Sequence, residues 1–269
     1  AGLSGRTGWV YPCDGDMAWP RSGAALFGDQ LMRRMLPVVV LLAVLVALGT
    51  ATSKTYNSPK VDGRVQTQEG DWEADELVFN DPNDDCRYYP SDADLDNLWV
   101  TWTADSLYVG IKTVNGPGGY GNGYLLFIDT DWQNGVTGAT SFVDADFYAR
   151  QLQFEEFGAE VVMGGWNLPV TFDAKFCSDP TSTTDLTEFY SQCNPGLKHI
   201  EARFSWNELY GLGPGQVPPG TTVQFIAAVV GGDGAGPYDL MPTSSSGIET
   251  NGATAWNALI TADEAVELF

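Results

Sequence analysis

Beyond residue 53 this chain never sustains the apolar spacing of a long amphipathic helix. It runs instead as short apolar and aromatic segments cut by turns, and its 269 residues include 31 Gly and 15 Pro. Residues 98–102, Leu-Trp-Val-Thr-Trp, lead through a turn at Ala104-Asp105 into 107–113, where Leu107, Val109 and Ile111 share one face. That is the pattern of a hairpin. Residues 124–129 form a compact apolar strand. Residues 146–154 alternate, with Phe147, Ala149, Gln151 and Gln153 opposite Tyr148, Arg150, Leu152 and Phe154. Segments 159–163 and 168–172 read as a pair joined by Gly164-Gly165-Trp166-Asn167, and 199–205 and 223–230 as two more strands. Residues 206–211 allow one or two helical turns capped by Ser205. Eight or more short strands with frequent turns predict an all-β fold, a two-sheet antiparallel β-sandwich of jelly-roll-like kind.

Ahead of this body lies an export signal. Met32-Arg33-Arg34 is a short positive start, residues 35–48 are an apolar run of 14, and Gly49-Thr50-Ala51 offers small residues for cleavage. The run is short for a bilayer span, and arginines before it with small residues after it argue against a buried core helix. Residues 32–51 are therefore expected to be a signal peptide forming a signal helix. Residues 1–31 are then either upstream sequence translated in frame or a long leader to the signal. The exported body is expected to be a single domain over residues 54–269, with a continuation beyond 269 left open by its apolar end. It is placed outside the cell or at the cell surface, with no membrane span in the mature form.

Residues 1–53 hold four of the 13 basic and three of the 35 acidic residues, which leaves 9 against 32 and a formal charge of −23 on the body. Such a surface repels nucleic acid and anionic lipid, whose recognition needs Lys and Arg against phosphate. It suits divalent cations. Cys177 and Cys193 enclose a polar stretch, 178–192, and a disulfide between them would pin a loop by about 3 kcal/mol in the loop-entropy account. Cys86 is left over, either as a buried thiol or as a partner for something outside the chain. With one histidine, His199, no zinc array can be built.

The stretch Phe127-Ile128-Asp129-Thr130-Asp131-Trp132-Gln133-Asn134-Gly135 is the most chemically suggestive. Two carboxylates two residues apart at a strand end, followed by Asn-Gly, can converge hard oxygen ligands on Ca2+ around a sharp bend. It is no EF-hand, since the twelfth position from Asp129 is Thr140. Asp129 and Asp131 are the first metal candidates, then Asn134, Asp144 and Asp146, with Ca2+ as a structural cofactor. Asp and Asn also favour turns and strand ends without any ion.

Several motifs resemble, in order, the family 9-like carbohydrate-binding modules and the related DOMON-like sandwiches of bacterial secreted proteins. They begin with Val61-Asp62-Gly63 and Asp71-Trp72. Leu95-Asp96-Asn97-Leu98-Trp99-Val100-Thr101-Trp102 and Ser106-Leu107-Tyr108-Val109-Gly110-Ile111 follow. Next come Phe127-Ile128-Asp129-Thr130-Asp131, Thr137-Gly138 and Asp144-Ala145-Asp146-Phe147, and last Glu201-Ala202-Arg203-Phe204-Ser205 with Leu209 and Gly211. The resemblance implies a two-sheet sandwich, often with structural calcium and often appended to glycan-active enzymes. Some members hold sugar between two Trp residues. Aromatic side chains in loops stack on sugar faces, so Trp132, Trp166 and Tyr120 are the candidate ligand-binding residues, with a glycan or cell-surface polysaccharide as partner. Trp99, Trp102 and Trp206 lie on regular segments and read as packing residues.

Three rival functions stand beside glycan binding. The body could be a cell-envelope structural or adhesion domain without sugar binding. It could be a haem-holding redox domain, which would demand His199 with Met163 or Met241. Or it could be an enzyme built on paired carboxylates, although no nucleophile elbow, metalloprotease helix or phosphate loop occurs and no catalytic residue is assigned. His199 itself reads as a surface or edge residue.

Overall fold

The computed structural model describes residues 57–68, 70–82, 86, 94–114, 122–130, 138–155, 157–167, 171–211, 222–232, 234–243, 260–262 and 266–268. The chain divides into Ala1–Ser53 and Lys54–Phe269, and every described residue belongs to the second part. The upstream segment 1–31 and the expected signal peptide 32–51 lie outside the described residues.

Among the described residues a short 3-10 turn, Ala74–Glu76, precedes fourteen strands. They are β1 (Leu77–Asn80), β2 (Leu95–Trp102), β3 (Ser106–Thr113), β4 (Gly123–Asp129), β5 (Leu152–Phe154), β6 (Val161–Trp166) and β7 (Asp173–Asp179). β8 (Ser182–Asp185), β9 (Phe189–Asn194), β10 (His199–Ser205), β11 (Val223–Val230), β12 (Pro237–Met241), β13 (Ile260–Ala262) and β14 (Val266–Leu268) complete them. A short helix, α1 (Trp206–Tyr210), follows β10, and Ser205 stands at its N-cap.

Twelve of these strands form two antiparallel sheets, the β-sandwich that the alternation predicts, while β5 and β13 pair with each other in parallel. The smaller sheet has the order β1-β2-β3-β10-β9, and the larger has β12-β11-β4-β6-β7-β8 with β14 also on β11. Side chains alternate across each strand, and the inward set of each sheet meets in one core. Leu98, Val100, Leu107, Val109, Ile111, Ile200, Ala202 and Phe204 come from the smaller sheet. Leu126, Ile128, Val161, Met163, Phe225 and Val229 come from the larger. Trp206, Leu209 and Tyr210 of α1 close one end, where the Trp206 indole N–H donates to the Thr103 carbonyl at 2.9 Å.

Both outer faces are covered as well. On the larger sheet Leu125, Phe127, Val162, Ile226 and Ala228 pack under Phe142, Leu152, Phe154 and Phe157. The Phe127 ring meets Phe142 and Phe154 edge-on, with centres 4.8 and 5.0 Å apart. On the smaller sheet Val65 and Trp72 lie over Trp99 and Tyr108. That cover is a strap, residues 57–68 and 70–72, fixed by outward-facing side chains of β10. The Glu201 carboxylate is wholly buried and accepts the backbone N–H groups of Asp62, Gly63 and Arg64 at 2.6–2.9 Å. Its other oxygen accepts the Trp72 indole N–H at 2.6 Å. Gly63 has φ +82°, and a Cβ there would lie 2.9 Å from the backbone of Cys193 and Asn194. No other residue fits that turn.

Four expectations are corrected. The polar stretch 178–192 is not an excursion: it contains β8 and β9 and carries the chain from the larger sheet to the smaller. Cys177 therefore ends in the outer-face cluster of the larger sheet and Cys193 in the core between the sheets, and both are free buried thiols rather than a disulfide. Burial pushes each thiol up to about 12. The alternation over 146–154 yields a strand only at 152–154. Tyr148 takes φ 53° and Asp146 N–H donates to the Pro180 carbonyl, so the segment crosses the face instead of joining it. His199 is not an edge residue. β10 lies between β3 and β9, and the half-buried imidazole accepts the Val65 N–H through Nδ1 at 3.1 Å.

Candidate functional site

Two chemically distinct places lie at opposite ends of the β4–β6 pair. Register runs from Ile128 opposite Val161 to Gly123 opposite Trp166, so the two ends are separated by roughly 17 Å at the usual strand rise.

At the first end Asp129 closes β4, half-buried, and its Oδ2 accepts the Gly158 N–H at 2.8 Å. Beside it stands Glu160, a residue absent from the sequence reading. Its carboxylate is 2% exposed and accepts the N–H of Thr130 at 2.8 Å on one oxygen and of Gly138 at 3.0 Å on the other. Thr130 and Gly138 are the two ends of the segment carrying Asp131, Trp132 and Asn134, so Glu160 ties the base of that segment together. Burial foremost, and the nearby Asp129 charge after it, push Glu160 up to about 7. Asp131, Trp132 and Asn134 lie outside the described residues.

Asp144 and Asp146 do not join this end as a cluster. Both are exposed, and Asp146 Oδ2 accepts the Thr183 hydroxyl at 3.2 Å beside the β7–β8 hairpin. Among the described residues no group of three or more His, Cys, Asp or Glu side chains is arranged to hold a metal ion.

At the second end Trp166 closes β6 and is 38% exposed, where most large apolar side chains of the domain are buried. The neighbouring ring is Tyr148, with centres 6.0 Å apart and planes tilted by 34°. The Arg150 guanidinium lies 5.1 Å from the Trp166 ring centre and 5.6 Å from that of Tyr148. Arg150 is wholly buried, so the cation lies on the inward side of a partly exposed aromatic pair. The rings lie close on the sheet because the residue below Tyr148 is Gly164. A Cβ there would fall 2.4 Å from Tyr148 Cε2. After Trp166 the chain turns through Asn167 at φ 56°, and Asn167 N–H donates to the Asn122 carbonyl at 2.7 Å. Burial, and to a smaller degree the charge of Asp173, push the Tyr148 phenol up to about 12, so it stays a neutral hydroxyl.

Tyr120 lies outside the described residues. Its segment enters β4 at the end where Trp166 leaves β6, whereas the segment of Trp132 leaves β4 at the far end. Tyr148 and Arg150 were missed as site residues, although the alternation had set both on one face, where an arginine among Tyr, Leu and Phe was the available signal.

The His–Met pairing of the redox reading is not brought together. His199 points to the strap side of the smaller sheet, while Met163 and Met241 are buried in the core between the sheets. Among the described residues no helix is long and apolar enough to cross a membrane. No protein-family model matches the chain, and a search of curated proteins finds no match.

Proposed function

We propose that the exported body of this chain is a non-catalytic carbohydrate-binding module whose docking surface is the aromatic pair Tyr148 and Trp166. The observation that carries this reading is the 38% exposure of Trp166, held beside a second ring over a buried cation. Fixed, partly exposed rings give the apolar faces of sugars a flat partner at little cost in side-chain entropy. Polar groups at the rim, Asn167 and the Tyr148 hydroxyl, can exchange hydrogen bonds with sugar hydroxyls. The acidic surface favours a neutral glycan over an anionic one. The export signal in residues 32–51 supports placement at or outside the cell surface.

Calcium has a supporting role in this reading. Asp129 and Glu160 crowd two carboxylates at one strand end, and the Asp129 charge disfavours ionisation of Glu160. A divalent ion relieves that repulsion, and Asp131 and Asn134 follow in the adjoining segment with further oxygen donors. Asp129, Asp131 and Asn134 would hold the ion, which would supply folding stability and no chemistry.

Affinity gels containing xylan, mixed-linkage β-glucan or mannan test the reading. The native chain is expected to be retarded in at least one gel, and Trp166→Ala to migrate as in a gel without polysaccharide. Unretarded migration of the native chain in all three, with folding verified by cooperative melting, would favour the structural-domain alternative.

A further inference from the structure

We propose that Arg150 is the positioning residue of the aromatic surface: its buried guanidinium fixes Tyr148 and Trp166 in their outward pose. The inference rests on the reading of that pair as the docking surface, and it concerns a residue that no ligand would touch.

Arg150 is 0% exposed, an uncommon place for a side chain that carries its charge under all ordinary conditions. Three contacts hold it there, one of them its Nη1 donating to the Ala149 carbonyl. Its backbone N–H donates to the Phe142 carbonyl at 2.7 Å, which locks the main chain against the outer-face cluster. Its guanidinium lies within about 6 Å of two ring centres, inside the range where a planar cation is attracted to aromatic faces, and desolvation strengthens that attraction.

The same contacts constrain the rings. Trp166 is the last residue of β6, followed by a residue with positive φ, and Tyr148 itself has φ 53°. Terminal, left-handed positions hold their side chains only when neighbours over-determine them. Gly164 sets the depth of Tyr148 from below, and Trp166 extends over Gly123, where a Cβ would approach its ring to 3.5 Å. Arg150 is the one charged group placed against both rings at once among the described residues. A lysine would keep the charge but replace the planar, weakly hydrated guanidinium with a compact and strongly hydrated point.

The full chain labelled with 5-fluorotryptophan provides the test, with the Trp166 resonance assigned from Trp166→Phe. Arg150→Lys and Arg150→Gln are each expected to move the Trp166 line toward its position in the unfolded chain. Both are expected to weaken retardation in the xylan, β-glucan and mannan gels at least tenfold, with melting still cooperative. A Trp166 line unchanged in both variants overturns the proposal, as does a moved line with affinity within twofold of native. Should the native chain bind none of these polysaccharides, the docking reading fails and the fluorine line alone judges Arg150. The native chain supplies a check that survives misfolding of the variants. The Arg150 Nε–H is expected upfield of exposed arginines through the ring currents, and to lose part of that shift in Trp166→Ala. An unshifted Nε–H in the native chain overturns the proposal whatever the variants do.

Discussion

The Trp72 indole N–H donates to Glu201 Oε1 at 2.6 Å, and the other oxygen of the same carboxylate takes three consecutive backbone N–H groups of the strap. One buried side chain on β10 thus joins residues more than 120 positions earlier in the sequence to the outer face of the smaller sheet. Removing it orphans four donors. Glu201→Ala is expected to cost about 3 kcal/mol or more, which lowers the thermal midpoint by roughly 6–12 °C for a domain of this size. Glu201→Gln, which keeps an acceptor but adds a donor pair, is expected to lose less. Melting followed by circular dichroism checks the order of the two; equal midpoints for native and Ala variants would contradict the assigned role.

Two groups, one beneath the strap and one within it, titrate in opposite senses. Burial first, then the Lys112 charge, push His199 down to about 4. The fold therefore favours its neutral form, and this contribution is complete above about 6.5 and lost as pH falls toward 4. Burial first, then the charges of Glu201 and Asp62, push Asp71 up to about 6. The fold favours its protonated form, and that contribution is complete below about 3.8 and lost as pH rises through 6. Between pH 4 and 6.5 the two offset each other. Asp71→Asn is expected to make the midpoint climb more steeply with pH over this window than in the native chain, and His199→Gln to make it flatter or falling. Slopes that change in the same direction in both variants would contradict the assignment.

How much of this was legible in the sequence depended on whether the informative contact was local. The hairpin of β2 and β3, the apolar β4 and the helical turn after Ser205 follow from alternation and capping within a dozen residues. The stretch 178–192 was misread because its polar residues belong to strands exposed at sheet edges, where Ser and Thr alternate without an apolar face. Glu201 and Glu160 looked like ordinary acidic residues in strands. Their roles come from N–H groups that arrive from distant turns, and no spacing rule reports those. Tyr148 and Arg150 were set on the correct common face but within a strand that the positive φ of Tyr148 interrupts.

The cysteines give a direct check on the crossing between sheets. Cys177 and Cys193 are free and buried, so reductant is expected to leave the midpoint unchanged within about 1 °C, whereas loss of a structural disulfide costs about 2–5 kcal/mol. Thiol titration should be silent in the native body and rise on unfolding without reductant. A drop in midpoint with reductant would contradict the separation of Cys177 from Cys193.

Calcium is expected to stabilise the body by about 2.7 kcal/mol at a hundredfold excess over its dissociation constant. Midpoints in calcium should therefore exceed those in EDTA by roughly 5–11 °C, and Asp129→Asn should remove the difference. Identical midpoints in calcium and EDTA would exclude a structural ion at the end of β4.

Gly164→Ala probes the aromatic pair from beneath. The added methyl meets Tyr148 within 2.4 Å, so the phenol must lift from the sheet, and a loss of affinity of about tenfold is expected at a stability cost of about 1–3 kcal/mol. Affinity gels and melting measured on the same samples separate the two effects.

The docking surface itself is tested most directly by hydroxyl-radical footprinting of the native chain with and without the polysaccharide that retards it most. Trp166 and Tyr148 are expected to become protected, while Tyr190, 46% exposed on β9 of the smaller sheet, stays as reactive as in the free chain. Protection at Tyr190 with none at Trp166 and Tyr148 would place the ligand elsewhere and contradict the account.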